Sequence, residues 1–222
     1  MNTQLDHLVI AAATLEQGAD WCEALLGVRP LAGGSHAAMG THNLVMKLDA
    51  PGTAHRYLEI IAIDPQAEAP SRPRWFGLDD PDLQSDLAQR GPRLINVVAR
   101  STMLDMHRWG LIQIGIQPGE PFAMSRPGAQ ADLAWEILLK PDGRLLYGGA
   151  LPGLIQWKGS HPAQALPDSG VVLQRLQAQG LPSRVGDVLR TQGMVFEPAA
   201  SPTPRLIATL RGLAGEVVLS SD

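Results

Sequence analysis

The order of predicted elements constrains this chain more than any single motif does. Residues 5–63 read as a strand, a helix and three further strands, and the same βαβββ order returns after residue 92. In the first run Leu5–Ala11 is a strand. Thr14 opens a helix with Gln17 three residues on, the spacing of a capping box. Leu15, Ala19, Cys22, Leu25 and Leu26 keep helical spacing, and Gly27 sits where a C-cap glycine ends a helix. "SHAAMGTHNLVMKL" and "HRYLEIIAI" are strand-rich, separated by the turn-rich "DAPGT".

A linking helix is expected over Pro81–Gln89, with Asp80 capping it and Pro81 at its first position. The second run then has "LINVVAR" as a strand, "STMLDMHRWG" as a short helix closed by Gly110, and strands in "GEPFAMSRPG", "DLAWEILLK" and "LIQWK". Beyond it, "VVLQRLQAQG" reads as a short amphipathic helix ending at Gly180. "GMVFEPA", "PRLIATLRG" and "GEVVLSS" read as strands. These fit either the later part of a third, degenerate unit or strands added to the edge of the second sheet.

Composition narrows the partners. With 18 Lys and Arg against 22 Asp and Glu, the net charge of -4 gives no basic field for nucleic acid, and no Lys/Arg run suggests a membrane surface. No segment approaches the roughly 20 apolar residues of a bilayer span. Partners are expected to be small molecules or other subunits, a homodimer among them. The single cysteine, Cys22, lies on an apolar helix face, where packing is its expected role. Nothing at the N-terminus resembles a signal peptide, and a reducing, cytoplasmic setting is expected. Walker, dinucleotide, nucleophile-elbow and zinc-finger spacings are absent; "GGSH" and "YGGALPG" lack them.

Two polar residues interrupt apolar strands, and each must find a partner or a ligand if buried. They are His7 in "LDHLVI" and Glu59 in "YLEII". Overlaying the opening strands places His7 opposite Asn96, and overlaying the closing strands places Glu59 opposite Gln156. His7 and Glu59 are either a satisfied hydrogen-bonded pair or two corners of a shared site. Imidazole and carboxylate suit zinc, nickel, manganese or ferrous iron. His42 and Asn43 in "GTHN" face the cavity or make a turn. Trp135 and Trp157 are core residues or an aromatic pocket wall. Glu136 alternates with Trp135, so one of the two faces inward. Arg126 is either a partner for a substrate carboxylate or an exposed hairpin charge. His36 is expected at an exposed strand end, and His55 and His107 at the surface.

Taken together, "LDHLVIAA", "GSHAAMGTHNLVMKL", "YLEIIAI", "RPG" with "LAWEILL", and "LPGLIQWKGSHPA" resemble the vicinal oxygen chelate superfamily, and more narrowly the bacterial glyoxalase-like domain proteins. The resemblance implies an α+β fold: two paired βαβββ units whose curled mixed sheets surround a cavity, plus a degenerate C-terminal α/β extension. The units are placed at residues 1–65 and 92–160 and the extension at 161–222, all in one compact domain. Metal ligands in the superfamily come from the first and last strands of each unit, which here are His7, Glu59, Asn96 and Gln156. Glu216 replaces Gln156 if "GEVVL" closes the second unit. His7 and Glu59 are the firm metal candidates, and Glu59 the catalytic one. Asn96, Gln156, His42, Asn43, Trp135, Trp157 and His161, in the family's "HP" element, are the ligand-binding candidates. Two functions follow. One is a lyase, isomerase or dioxygenase using a divalent metal on vicinal oxygens; the other is a metal-free protein that sequesters a small organic compound.

Overall fold

The computed structural model describes residues 2–48, 55–128, 131–198 and 203–221; the expected "DAPGT" turn lies outside them. The first unit comprises β1 (Gln4–Ala11), α1 (Leu15–Leu26), β2 (Leu31–His36), β3 (Thr41–Lys47) and β4 (Tyr57–Ile63). The Thr14 hydroxyl accepts from Gln17 N at 3.1 Å, and Gly27, at φ 75°, closes α1 in the left-handed region. Helix α2 (Pro81–Arg90) follows, with the Asp80 carboxylate accepting from Asp82 N. The second unit is β5 (Arg93–Arg100), α3 (Leu104–Gln113), β6 (Glu120–Arg126), β7 (Leu133–Leu139) and β8 (Gly153–Trp157).

These eight strands form one sheet in the order β2-β3-β4-β1-β5-β8-β7-β6. Each unit closes its last strand parallel to its first, His7 beside Tyr57 in one and Val98 beside Gly153 in the other. The units join through the antiparallel β1–β5 pair. The sheet curls until its two edges meet, and the Arg126 guanidinium on β6 donates to Gly33 O on β2 at 3.3 Å. Its inner face carries Val9, Ile61, Trp135, Ile137 and Ile155, with Trp75 from the segment after β4 packed against them.

The outer face of the first unit is covered by α1 and by a second sheet. That sheet is built from β9 (Val172–Gln179), β10 (Val195–Glu197), β11 (Arg205–Gly212) and β12 (Gly215–Ser220), in the order β10-β9-β11-β12, with α4 (Arg184–Leu189) between β9 and β10. Leu8, Ile10, Cys22, Leu58, Leu176 and Leu206 meet in the resulting core.

Two elements differ from their sequence reading. Residues 172–179 form β9, not a helix. Opposite β11, Thr209 faces Arg175 and Leu210 faces Leu173, so Gln174 is the extra residue of a bulge. The bulge puts Leu173 and Leu176 on one face three residues apart, which imitates helical spacing. Helix α3 also runs through Gly110 to Gln113. A Cβ at Gly110 would lie 2.8 Å from Val188 Cγ1, so the glycine serves the close α3–α4 approach rather than a helix stop.

Candidate functional site

A bulge builds the centre of the site. Along the β1–β5 pair Leu5 faces Ala99 and His7 faces Val98, which leaves Asp6 as the extra residue. Consecutive strand residues ordinarily point to opposite faces. Here the Asp6 and His7 side chains meet instead, with His7 Nδ1 2.7 Å from Asp6 Oδ1. A second bulge lies further along the same pair. Val9 faces Asn96 and Ile10 faces Leu94, so Ile95 is unopposed. Asp6–His7 and Ile95–Asn96 thus occupy matching bulges in the two opening strands.

Asp6 is fully buried and is the hub of this arrangement. Its Oδ2 accepts from Trp157 Nε1 at 3.0 Å and from His161 Nε2 at 3.0 Å. His161 Nδ1 accepts from Ala163 N, which fixes the proton on Nε2. Burial alone would raise the Asp6 carboxyl. Hydrogen bonds from His161 and His7 outweigh burial and hold it well below the usual carboxylate range. An ionised Asp6 requires a proton on His7 Nδ1. The other ring nitrogen, Nε2, faces the cavity, 3.6 Å from Glu59 Oε2. Tyr57 stacks on the His7 ring at 4.5 Å and holds its plane; burial, then Asp6 and Glu59, raise the Tyr57 phenol well above its ordinary value.

Glu59 is held from the next strand. Asn43 on β3 donates from Nδ2 to Glu59 Oε1, and its Oδ1 accepts from Gly34 N at 2.8 Å. The "GG" of "GGSH" makes this possible. A Cβ at Gly33 would fall 2.1 Å from Asn43 Oδ1, and one at Gly34 would fall 2.5 Å from Arg126 Nη1. The glycine pair is therefore part of the site, a role that the absence of a phosphate-loop motif left invisible.

The cavity is about 30 Å³, lined by His7, His36, Asn43, Glu59, Arg126 and the rings of Tyr57, Trp75, Trp135 and Trp157. Its size suits about two ordered waters or the head of a small ligand. Trp135 and Trp157 lie 5.3 Å apart and form one wall. Glu136, alternating with Trp135, pairs outside with Lys158. His36 is a correction: it is buried, not exposed, and lies edge-on to Trp75 at 4.9 Å. Burial, then the Arg126 charge, push the His36 ring down to about 3, so it is neutral at ordinary pH.

The structure brings His7, Glu59, Asn43, Trp135 and Trp157 to one cavity. His161 stands behind them as a partner of Asp6. The remaining candidates are elsewhere. Asn96 donates from Nδ2 to Gly149 O and Leu151 O and lines a neighbouring cavity of about 60 Å³. Gln156 Oε1 accepts from Leu104 N at the start of α3, because strand alternation sends Ile155 and Trp157, not Gln156, to the inner face. His42 alternates with Asn43 and sits 3.9 Å from Asp64 on the other face. Glu216 is exposed on β12. Outside the site, His107 is buried against Ser101 rather than at the surface, and His55 is half-buried. Cys22 is buried and burial pushes its thiol up to about 12, an inert packing residue.

Sequence reasoning missed Asp6, His36, Tyr57, Trp75 and the glycine pair. Asp6 stands out as a second polar residue beside His7, but strand alternation sends it to the opposite face, and only the bulge brings the two together. A catalytic metal uses about three protein ligands. Among the described residues no three His, Cys, Asp or Glu side chains converge to hold one. His7 and Glu59 supply two, and the described donor set does not fit a resident metal.

Two βαβββ units joined in one curled sheet have the fold of the vicinal oxygen chelate proteins. The family model described as a glyoxalase-like domain matches residues 5–184, and the chain belongs to that family. No curated protein matches it. Among solved structures, a hypothetical protein from Staphylococcus aureus has 11% identity and a TM-score of 0.56, over 99% of this chain and 85% of that one; it shares the fold. A methylmalonyl-CoA epimerase from Mycobacterium tuberculosis has 19% identity and a TM-score of 0.39, over 71% of this chain and 88% of that one. Among the described residues no helix is long and apolar enough to cross a membrane.

Proposed function

We propose that the pocket binds a small oxygenated compound and moves a proton on it, with His7 as the base and Glu59 as the second proton carrier. The observation that carries this reading is the Asp6–His7 hydrogen bond, which orients the ring so that Nε2 points at Glu59 in a pocket walled by aromatic rings. His7 Nε2 takes a proton from a carbon next to a carbonyl, and the electron pair moves onto the carbonyl oxygen. The imidazolium formed in this step lies between two carboxylates, Asp6 on Nδ1 and Glu59 facing Nε2. Glu59 Oε2 then relays the proton to the neighbouring carbon or oxygen. Such a sequence is isomerase- or lyase-type and needs no metal. The aromatic wall of Trp75, Trp135 and Trp157 favours a second reading, a metal-free binding protein.

Proton NMR in D₂O tests it, following loss of the C–H signals of pyruvate and hydroxyacetone. Wild-type protein is expected to speed the exchange, and His7→Gln to slow it by about 10²- to 10⁴-fold. Asp6→Asn should slow it as well and shift the pH profile, because the ring loses its orienting anion. Tryptophan quenching without exchange would leave the binding reading. A stoichiometric metal in elemental analysis, lost in His7→Gln, would overturn the metal-free chemistry.

A further inference from the structure

The pocket holds a cation that no carboxylate of the described residues contacts. Arg126 lines it from the end of β6, half-buried, and its Nη1 reaches only two carbonyl oxygens, Gly33 O and Pro127 O, both at 3.3 Å. Three other partly buried arginines pair with carboxylates, Arg74 with Asp79 at 2.6 Å, Arg93 with Asp86 at 3.2 Å and Arg108 with Glu120, while Arg72, outside the pocket, donates to Lys140 O and lies over the Phe122 ring. Among the described residues no ion pair to a carboxylate is found for Arg126. The local sequence also makes room for it, since a side chain at Gly34 would collide with Nη1 at 2.5 Å. Its neighbour His36 stays neutral and does not answer its charge.

We infer that Arg126 determines specificity and that the substrate is a small carboxylate, its two oxygens taken by the guanidinium at the β2–β6 seam. The inference rests on the pocket being the functional site, as proposed above. A guanidinium whose hydrogen bonds go to two backbone carbonyls at 3.3 Å gains strongly from a planar carboxylate, whose two oxygens match its fork. The flat walls of Trp135 and Trp157 suit a planar group. The small volume favours a carboxylate on a short carbon chain over a phosphate ester. Bound there, the acid extends the carbon chain beyond its carboxylate towards His7 and Glu59, which line the same cavity.

Tryptophan fluorescence titration separates this from the proton-transfer reading. The probes are pyruvate and lactate, their neutral counterpart hydroxyacetone, and inorganic phosphate. Wild-type protein is expected to bind the two acids in preference to hydroxyacetone. Arg126→Met should weaken the acids by roughly ten- to a hundredfold and leave hydroxyacetone unchanged, with Arg126→Lys between. Gly34→Ala, which displaces the guanidinium without removing it, should weaken the acids in the same sense. Circular dichroism confirms that each variant folds. Equal binding of acid and neutral probes, no response to either acid, unchanged acid binding in Arg126→Met, or phosphate binding more tightly than the acids would each overturn the inference. Selective acid binding by a protein that catalyses no exchange, retained in His7→Gln, would sink the proton-transfer reading and leave Arg126 in its role.

Discussion

His36 shows how a residue can be found in the sequence and still be misplaced. Its position at the end of a glycine-rich strand suggested exposure, yet the sheet closes over it and packs it between Trp75 and Trp135. The consequence is a stability that depends on pH. The ring's folded value, about 3, lies below its ordinary 6.5, so the unfolded chain takes up a proton first as pH falls. The stabilisation from burying a neutral His36 is complete above pH 6.5 and is lost progressively between there and about pH 3. One proton gives a slope of at most about 1.4 kcal/mol per pH unit. Urea midpoints at pH 7, 6, 5 and 4 should fall along that slope, and His36→Gln should flatten part of it. An unchanged slope in the variant would show that His55 and His107, also lowered by burial, carry the acid sensitivity. At this scale His7 and Glu59 were legible because a charged group in an apolar run demands a reason. Asp6 was not, because alternation assigns it to the face opposite His7.

Elements were legible wherever one period held throughout. Caps at Thr14, Gly27, Asp80 and Pro81 marked helix ends that the structure keeps. Bulges broke the rest. The bulge at Asp6 makes the site, that at Ile95 turns Asn96 towards its own cavity, and that at Gln174 disguises β9. A single inserted residue reverses every later side chain, and nothing in an isolated strand announces it. Helix packing is a related case, since a glycine inside a helix signals either an end or a close approach. At Gly18 it is the approach: a Cβ would meet Ile60 Cγ2 at 2.4 Å, and Ile60 is fully buried on β4. Gly18→Ala gains about 1 kcal/mol of helix propensity but overpacks a rigid site at a cost of about 1–3 kcal/mol. A net loss of about 1 kcal/mol is expected in chemical denaturation. A stabilised variant would mean that α1 can lift from β4.

The whole molecule poses a question that neither residues nor elements answer, which is whether the eight-stranded sheet can stand without the last sixty residues. The order β9, α4, β10, β11, β12 repeats βαβββ once more. Its pairing does not, because β9 lies between β10 and β11, whereas the opening strands of the first two units lie beside their closing strands. The extension is thus bonded by its own rules, and it is also woven into β1. Thr3 N donates to Leu189 O, Gln192 N to Thr3 O, and Leu5 N to Gln192 O, all within 3.0 Å. Leu176, Leu206 and Leu210 cover the outer face that Leu8, Ile10 and Leu58 present. Removing them would expose a continuous apolar surface, with about 25 cal/mol of lost stabilisation for each Å² uncovered. Because β1 carries Asp6 and His7 on its inner face and this core on its outer one, the site depends on the extension through one strand. A chain ending at Asp168 is therefore expected to lose cooperative unfolding, bind a hydrophobic dye and quench no tryptophan with pyruvate. Sharp, two-state unfolding of that shortened chain, with pyruvate quenching intact, would instead make the eight-stranded sheet an independent domain and the extension an accessory to it.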